Sequence, residues 1–131
     1  MGDAGLPLYH VWFAKRRKWL LQDDILAAIR QELQQIALDK GIRLREHEAV
    51  VDHVHLLIET DNREGLSKAV NLLKGISARH IFQRFPEMRL DAGVRNLWQH
   101  RYGYKEIPLP AADSVAAYIR TQWDRLEKFE R

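Results

Sequence analysis

Asp52-His53-Val54-His55-Leu56-Leu57-Ile58-Glu59 is the stretch whose reading decides the fold. Side chains of a strand point alternately to its two faces, so His53 and His55 share one face while Val54, Leu56 and Ile58 share the other. The apolar set has to be buried, under helices in a chain of this kind. A slip of one residue would expose it, so the register is held and both histidines stay on the opposite side. Two imidazoles about 7 Å apart on one strand can converge on a single cation. The same spacing also suits two surface or hydrogen-bonded histidines.

Working outward, Leu8 to Ala14 is apolar, aromatic and β-branched without a breaker and predicts a first strand. Asp23 and Asp24 open a helix with the stripe Ile25, Ile29, Leu33 and Ile36. Lys40 closes it, and Gly41 is placed as its C′ residue. Ile42 to Val51 predicts a second strand and His53 to Thr60 a third; the short link around Val51-Asp52 suggests a tight hairpin or one long bent strand, with the turn placed nearer Glu46–Glu48. A second helix is predicted over Glu64 to Arg84, on Leu66, Ala69, Val70, Leu73 and Ile76, with Pro86 just beyond it. Gly75 lies inside this helix at a cost of about 1 kcal/mol relative to alanine, which a packing contact or a close approach by nucleic acid would explain. A fourth strand is expected around Tyr102 to Ile107. A last helix, capped by Asp113 or Ser114, runs to the C-terminus. The order β-α-β-β-α-β followed by a helix predicts an α+β, ferredoxin-like antiparallel sheet, with two helices on one face and the other face open. Residues 1–131 are read as a single domain, without repeat, linker or low-complexity segment.

Composition narrows the chemistry. The 131 residues contain no cysteine, which excludes disulfide scaffolds, zinc-thiolate sites, iron–sulfur clusters and thiol nucleophiles. Any metal must then sit on His, Asp, Glu, Gln or Asn. Any covalent chemistry must use Ser, Thr, Tyr, Lys, His or a carboxylate. No signal peptide is expected at the N-terminus, and no apolar run approaches the about 20 residues that span a bilayer. Net charge is only +3, but from Arg63 to Lys105 nine basic residues stand against three acidic ones, and Lys15 to Lys18 form a second basic run. With Trp12, Trp19, Trp98, Tyr102 and Tyr104 nearby, this suits a nucleic-acid surface, where cations neutralise phosphates and rings stack on unpaired bases. A solubilising face over an aromatic core is the plain alternative. Arg16, Arg17, Lys74 and Arg79 are the candidate nucleic-acid contacts, and Trp98 is read as a core anchor before a stacking platform.

The last helix adds two further candidates. Tyr118 lies at the edge of its stripe of Val115, Ile119, Leu126 and Phe129, and Gln122 follows one turn later on the same side. A glutamine carbonyl is a possible metal ligand and a tyrosine hydroxyl a possible nucleophile, although both residues also suit simple packing and solvation. His10 faces the same way as residues 8, 12 and 14 on the first strand, where it is read as packing, hydrogen-bonding or supporting the site.

Asp52-His53-Val54-His55-Leu56-Leu57, Leu73-Lys74-Gly75 with Ser77-Ala78-Arg79, Leu97-Trp98 and Tyr118-Ile119-x-x-Gln122 together carry a resemblance. In that order and spacing they resemble the single-tyrosine transposases of the insertion sequence 200/605 group, which have a His–hydrophobe–His motif. Tyr9-His10-Val11-Trp12 with Lys15-x-Arg17 resembles the family's first strand and the turn after it. The resemblance implies Tyr118 as nucleophile, and His53, His55 and Gln122 as ligands of a magnesium or manganese ion, with no organic cofactor. It implies single-stranded DNA carrying a hairpin as substrate, a 5′-phosphotyrosine intermediate, a homodimer and a prokaryotic cytoplasmic setting without a membrane. Two departures, Val51 where the family often has proline and the Pro108 and Pro110 segment, bear on DNA specificity and on whether the copy is mobile or domesticated. The rival readings are a non-catalytic single-strand-binding protein on the same fold and a phosphoesterase using activated water.

Overall fold

In the computed structural model, the described residues are 6–14, 23–49, 53–86 and 97–121, with the side chains of residues 23 and 53 left out. The elements are β1 (Leu8–Ala14), α1 (Asp23–Lys40), β2 (Arg43–Ala49), β3 (His53–Glu59), α2 (Arg63–Arg84) and β4 (Gly103–Ile107). A 3-10 turn (Leu109–Ala111) then leads into α3 (Ala112–Arg120). The strands form one sheet in the order β2-β3-β1-β4, and every neighbouring pair is antiparallel. This is the α+β arrangement that the order of elements predicts, and the C-terminal helix is present.

The alternation in β3 is resolved as expected. Val54, Leu56 and Ile58, with Tyr9, Val11 and Phe13 of β1, are buried in one core with α1 and α2. The stripe of α1 is buried at Ile25, Ile29, Leu33 and Ile36, and Gly41 follows the helix at φ +69°, the left-handed conformation a C′ glycine supplies. At the start of α2, Asn62 accepts the Gly65 N–H at 2.8 Å through its side chain. Residue 65 must be small there, because an added Cβ would stand 2.6 Å from Thr60 Oγ1. Trp98 takes the core role. It is buried, donates Nε1–H to Ser77 Oγ at 2.9 Å, and meets Phe13 edge-on at 4.8 Å between centroids.

Two boundaries and one packing expectation differ from the sequence reading. Pairing of β2 with β3 continues to Ala49 opposite Val54, so the reversal lies beyond Ala49 rather than at Glu46–Glu48. The polar run there is accommodated because the register shifts between Leu44 and Glu46, a bulge that re-aims the strand without ending it. α3 begins at Ala112, with Ala111 as N-cap in place of Asp113 or Ser114, because Pro110 seeds a 3-10 turn that runs straight into the helix. Gly75 has no packing contact to explain it: among the described residues nothing comes within 4 Å of a Cβ added there.

The sheet's second face is only partly open. Ile119 of α3 is buried with Leu8, Leu57 and Ile107, and Val115 and Ala116 pack against this smaller core. Each such aliphatic side chain contributes about 1.5–3 kcal/mol on burial, enough to seat a short helix. α3 therefore lies on the face that carries the odd-numbered residues of β3. No described helix is long and apolar enough to cross a membrane.

Candidate active site

His55 stands in register with Trp12 of β1 on one side and Glu48 of β2 on the other, and is 6% exposed. His10 is in register with Leu57, one pair further along the same face. Diagonal neighbours of this kind are within reach of large side chains. His10 Nε2 and His55 Nδ1 share a hydrogen bond at 3.1 Å, and the rings stack at 5.3 Å between centroids and 27° between planes. One nitrogen donates and the other accepts, so the two tautomers are coupled. Burial, and then the nearby Lys105 ammonium, hold His10 below the usual imidazole range, which favours the uncharged ring.

α3 brings Tyr118 to this pair within the same chain. The phenol ring is edge-on to His55, at 6.1 Å and 86°, and to His10, at 6.0 Å and 75°. Its position follows from its neighbours. Ile119 is completely buried, and Arg120 donates to Glu46 at 2.8 Å, tying the helix to β2. The apolar anchor is the stronger of the two, since an exposed ion pair contributes about 0–1 kcal/mol. Tyr118 itself remains exposed, as does Trp12, whose ring lies 5.1 Å from that of His10.

Tyr118 and His55, far apart in sequence, are thus brought together. His53 occupies the register position opposite Ala14, two residues from His55 on one strand, and its side chain is outside the description. Gln122, Arg16 and Arg17 also lie outside the described residues. Lys74 and Arg79 do not join the site. They belong to α2, whose buried residues pack on the opposite face of the sheet. Lys74 donates Nζ–H to the carbonyls of Gln99, at 2.7 Å, and His100, at 3.2 Å, and burial lowers its pKa. Arg79 is exposed. Asn71, Lys74, Gly75 and Ala78 line a groove with the segment from Leu97 to His100.

The residues fit a divalent cation on one observation. With Nδ1 engaged by His10, it is through Nε2 that His55 would meet a metal, and a second partner on the far nitrogen is what ligating imidazoles usually have. Among the described residues, no group of three or more His, Cys, Asp or Glu could hold a metal, so a complete set would need His53 and Gln122. Sequence reasoning missed the contact between His10 and His55, because alternation gives the face of each residue and not its diagonal neighbour. It also missed the buried Glu59, which accepts from Arg43 at 2.9 Å and Arg45 at 2.6 Å and holds the far end of β3.

Comparison with known proteins gives concordant results. A family model described as transposase, IS200-like, matches residues 6–122. The ISDra2 transposase TnpA of Deinococcus radiodurans is 29% identical over 118 residues, covering 89% of this chain and 84% of that protein. The transposase for insertion sequence element IS200 of Salmonella typhimurium is 27% identical over 115 residues, covering 87% and 75%. Among solved structures, a Deinococcus radiodurans R1 protein assigned as a transposase superposes with a TM-score of 0.71 at 28% identity, over 93% of this chain and 95% of that one. A REP-associated tyrosine transposase bound to a REP hairpin has the same fold, with a TM-score of 0.58 at 14% identity over 88% and 65%.

Proposed function

The chain belongs to the IS200-like transposase family, and on that premise we propose that it cuts and rejoins single-stranded DNA through a covalent link to Tyr118. The observation that carries this reading is the meeting of Tyr118 with His55 and His10 on one sheet face. A phenol beside two imidazoles, on a helix held by a buried isoleucine, is a nucleophile placed next to a cation-binding strand.

The phenolic oxygen of Tyr118 attacks the scissile phosphorus, the bond from phosphorus to the 3′ oxygen breaks, and the phenolic proton passes to solvent. The departing 3′ oxygen takes up a proton. The products are a 5′-phosphotyrosine and a free 3′-OH. Attack by the 3′-OH of another strand reverses the step, breaks the phosphotyrosine bond and restores Tyr118. The phosphodiester's energy is conserved, so no nucleotide is consumed. His53, His55 and Gln122 would hold a magnesium or manganese ion, which when bound polarises the phosphate oxygens and offsets developing charge. Two nitrogen donors and a neutral oxygen suit manganese, or magnesium that keeps several waters.

The DNA is read as single-stranded with a hairpin near each element end, held by phosphate contacts from Arg16, Arg17, Lys74 and Arg79. Since Lys74 and Arg79 are on the helix layer, the hairpin they hold lies on the side of the sheet away from Tyr118, and the strand to be cut reaches round to the other face. Lys74 exchanges its two carbonyl acceptors for a phosphate on binding. The enzyme works as a homodimer, on chromosomal or plasmid DNA in the cytoplasm.

The test is a fluorescent single-stranded oligonucleotide spanning an element end, incubated with protein and Mn²⁺ and run on a denaturing gel. The wild type forms a covalent protein–DNA band, and Tyr118→Phe forms none while still shifting the DNA on a native gel. A covalent band of undiminished intensity with Tyr118→Phe overturns the assignment. Binding that neither chelator nor His55→Ala affects, without any covalent band, identifies a non-catalytic binding protein instead.

A further inference from the structure

Nothing in the packing of β1 demands an imidazole at position 10. Its register partner is Leu57, the preceding β1 position on that face pairs Leu8 with Glu59, and the small core beneath α3 is aliphatic. The residue nevertheless makes a specific polar contact, the 3.1 Å bond between His10 Nε2 and His55 Nδ1, and its ring is stacked on that of His55 and capped by the edge of Tyr118. We infer that His10 is a positioning residue for His55: by accepting the Nδ1–H of His55 it selects the tautomer and the ring rotation that present Nε2 to a cation.

The argument is one of proton location. A neutral imidazole carries its proton on one nitrogen only, and a nitrogen that ligates a metal must bring a lone pair. If His55 donates through Nδ1, Nε2 has that lone pair. If the roles in the pair are reversed, the proton of His55 sits on Nε2 and must be displaced before a metal can bind. A free histidine ring also rotates about its last side-chain bond, and the bond to His10 removes that freedom before the cation arrives. Losing such an outer partner typically weakens metal affinity about 10–100-fold. The inference rests on the reading of His55 as a metal ligand, and it adds a residue of β1 to a site otherwise built from β3 and the C-terminal helix.

The experiment uses the full chain and Mn²⁺ alone, without DNA. Affinity is measured by calorimetry for the wild type, His10→Leu and His10→Gln, and the tautomer of His55 is read from imidazole nitrogen NMR shifts of the metal-free protein. Leucine keeps the bulk but cannot accept a hydrogen bond; glutamine can accept through its side-chain carbonyl. His10→Leu is expected to bind Mn²⁺ about 10–100-fold more weakly, with His55 shifted from the Nδ1–H towards the Nε2–H form. His10→Gln is expected to recover most of both. A melting temperature that falls while Mn²⁺ affinity and tautomer stay as in the wild type makes His10 a packing residue and overturns the inference. If His10→Leu does not fold, His10→Gln decides the matter: an affinity within twofold of wild type with Nδ1–H retained supports positioning, and loss of Nδ1–H at unchanged affinity overturns it. Wild-type protein that binds no Mn²⁺ overturns the metal reading of His55 and this inference with it. Normal binding and normal covalent adduct in His10→Leu remove only the role of His10.

Discussion

The indole of Trp12 lies over Gly103, its register partner across β1 and β4, so closely that a Cβ at position 103 would fall among the ring atoms Cε2, Nε1 and Cζ2. A glycine in a strand weakens it, and an aromatic ring laid on it from the neighbouring strand compensates. Here the same ring also borders His10, so the glycine sets how the aromatic edge of the site is packed.

Gly103→Ala is therefore expected to push the indole aside. The cost of such overpacking is about 1–3 kcal/mol, read as a lower denaturant midpoint, with a changed tryptophan emission. An unchanged midpoint would show that the ring has other room.

Gly75→Ala should act in the opposite direction. With no described atom within 4 Å of the new Cβ, the substitution removes the entropic cost of a glycine inside α2 and adds about 0.5–1 kcal/mol of stability. Chemical denaturation measures it, and a loss of stability would reveal a contact the geometry does not contain. Reduced affinity for single-stranded DNA in this more stable variant would point to close approach of the nucleic acid at Gly75, in the groove it lines.

His55→Ala should reduce covalent adduct formation by at least the about 10–100-fold that loss of an outer partner of a metal ligand costs, while circular dichroism shows the sheet intact. The buried Val54 and Leu56 on either side hold β3 from the other face. An adduct yield close to wild type would remove His55 from the reaction.

Glu59→Gln tests the far end of β3. The carboxylate is buried and takes two charge-assisted bonds, from Arg43 and Arg45, both of which are largely exposed. Because water already screens the arginines, the expected loss is about 1–3 kcal/mol, less than for a fully buried pair. Urea unfolding reads it, and a neutral result would mean that the amide satisfies the same space as well as the charge does.

His47 predicts a pH dependence. Burial lowers its pKa, Glu46, Glu48 and a hydrogen bond with the Arg30 backbone pull it partly back, and the Arg30 charge makes the smallest contribution, a lowering one. The native ring binds a proton less readily than the unfolded one, so protonation favours unfolding. The stabilisation is complete above the unfolded value, about 6.5, and is lost as pH falls below it. Wild-type stability should decline from pH 7 towards 5, and His47→Gln should flatten that slope. A slope unchanged in the variant would assign the effect to other groups.

The fold was largely legible in sequence because its signals are local. The even positions of His53–Glu59 and the stripe Ile25, Ile29, Leu33, Ile36 record which side chains enter the main core, and those residues are buried there. The misplaced turn shows where local reading fails. Glu46, His47 and Glu48 look like a loop, yet they pair with β3 because the bulge beside them and the partner strand determine the backbone. The start of α3 departs from local reading for a related reason: a proline-led 3-10 turn does the work of a capping side chain.

What the sequence determined by itself was the face of each residue, the order of the elements and the exclusion of thiol chemistry, since periodicity and composition are properties of the chain alone. Only the tertiary structure decided which faces meet. It set Tyr118 against His55 of its own chain, joined His10 to His55 across a diagonal, and put Lys74 and Arg79 on the other side of the sheet. These pairings depend on strand register and helix docking, which arise from burial summed over distant segments and leave no pattern in any one of them.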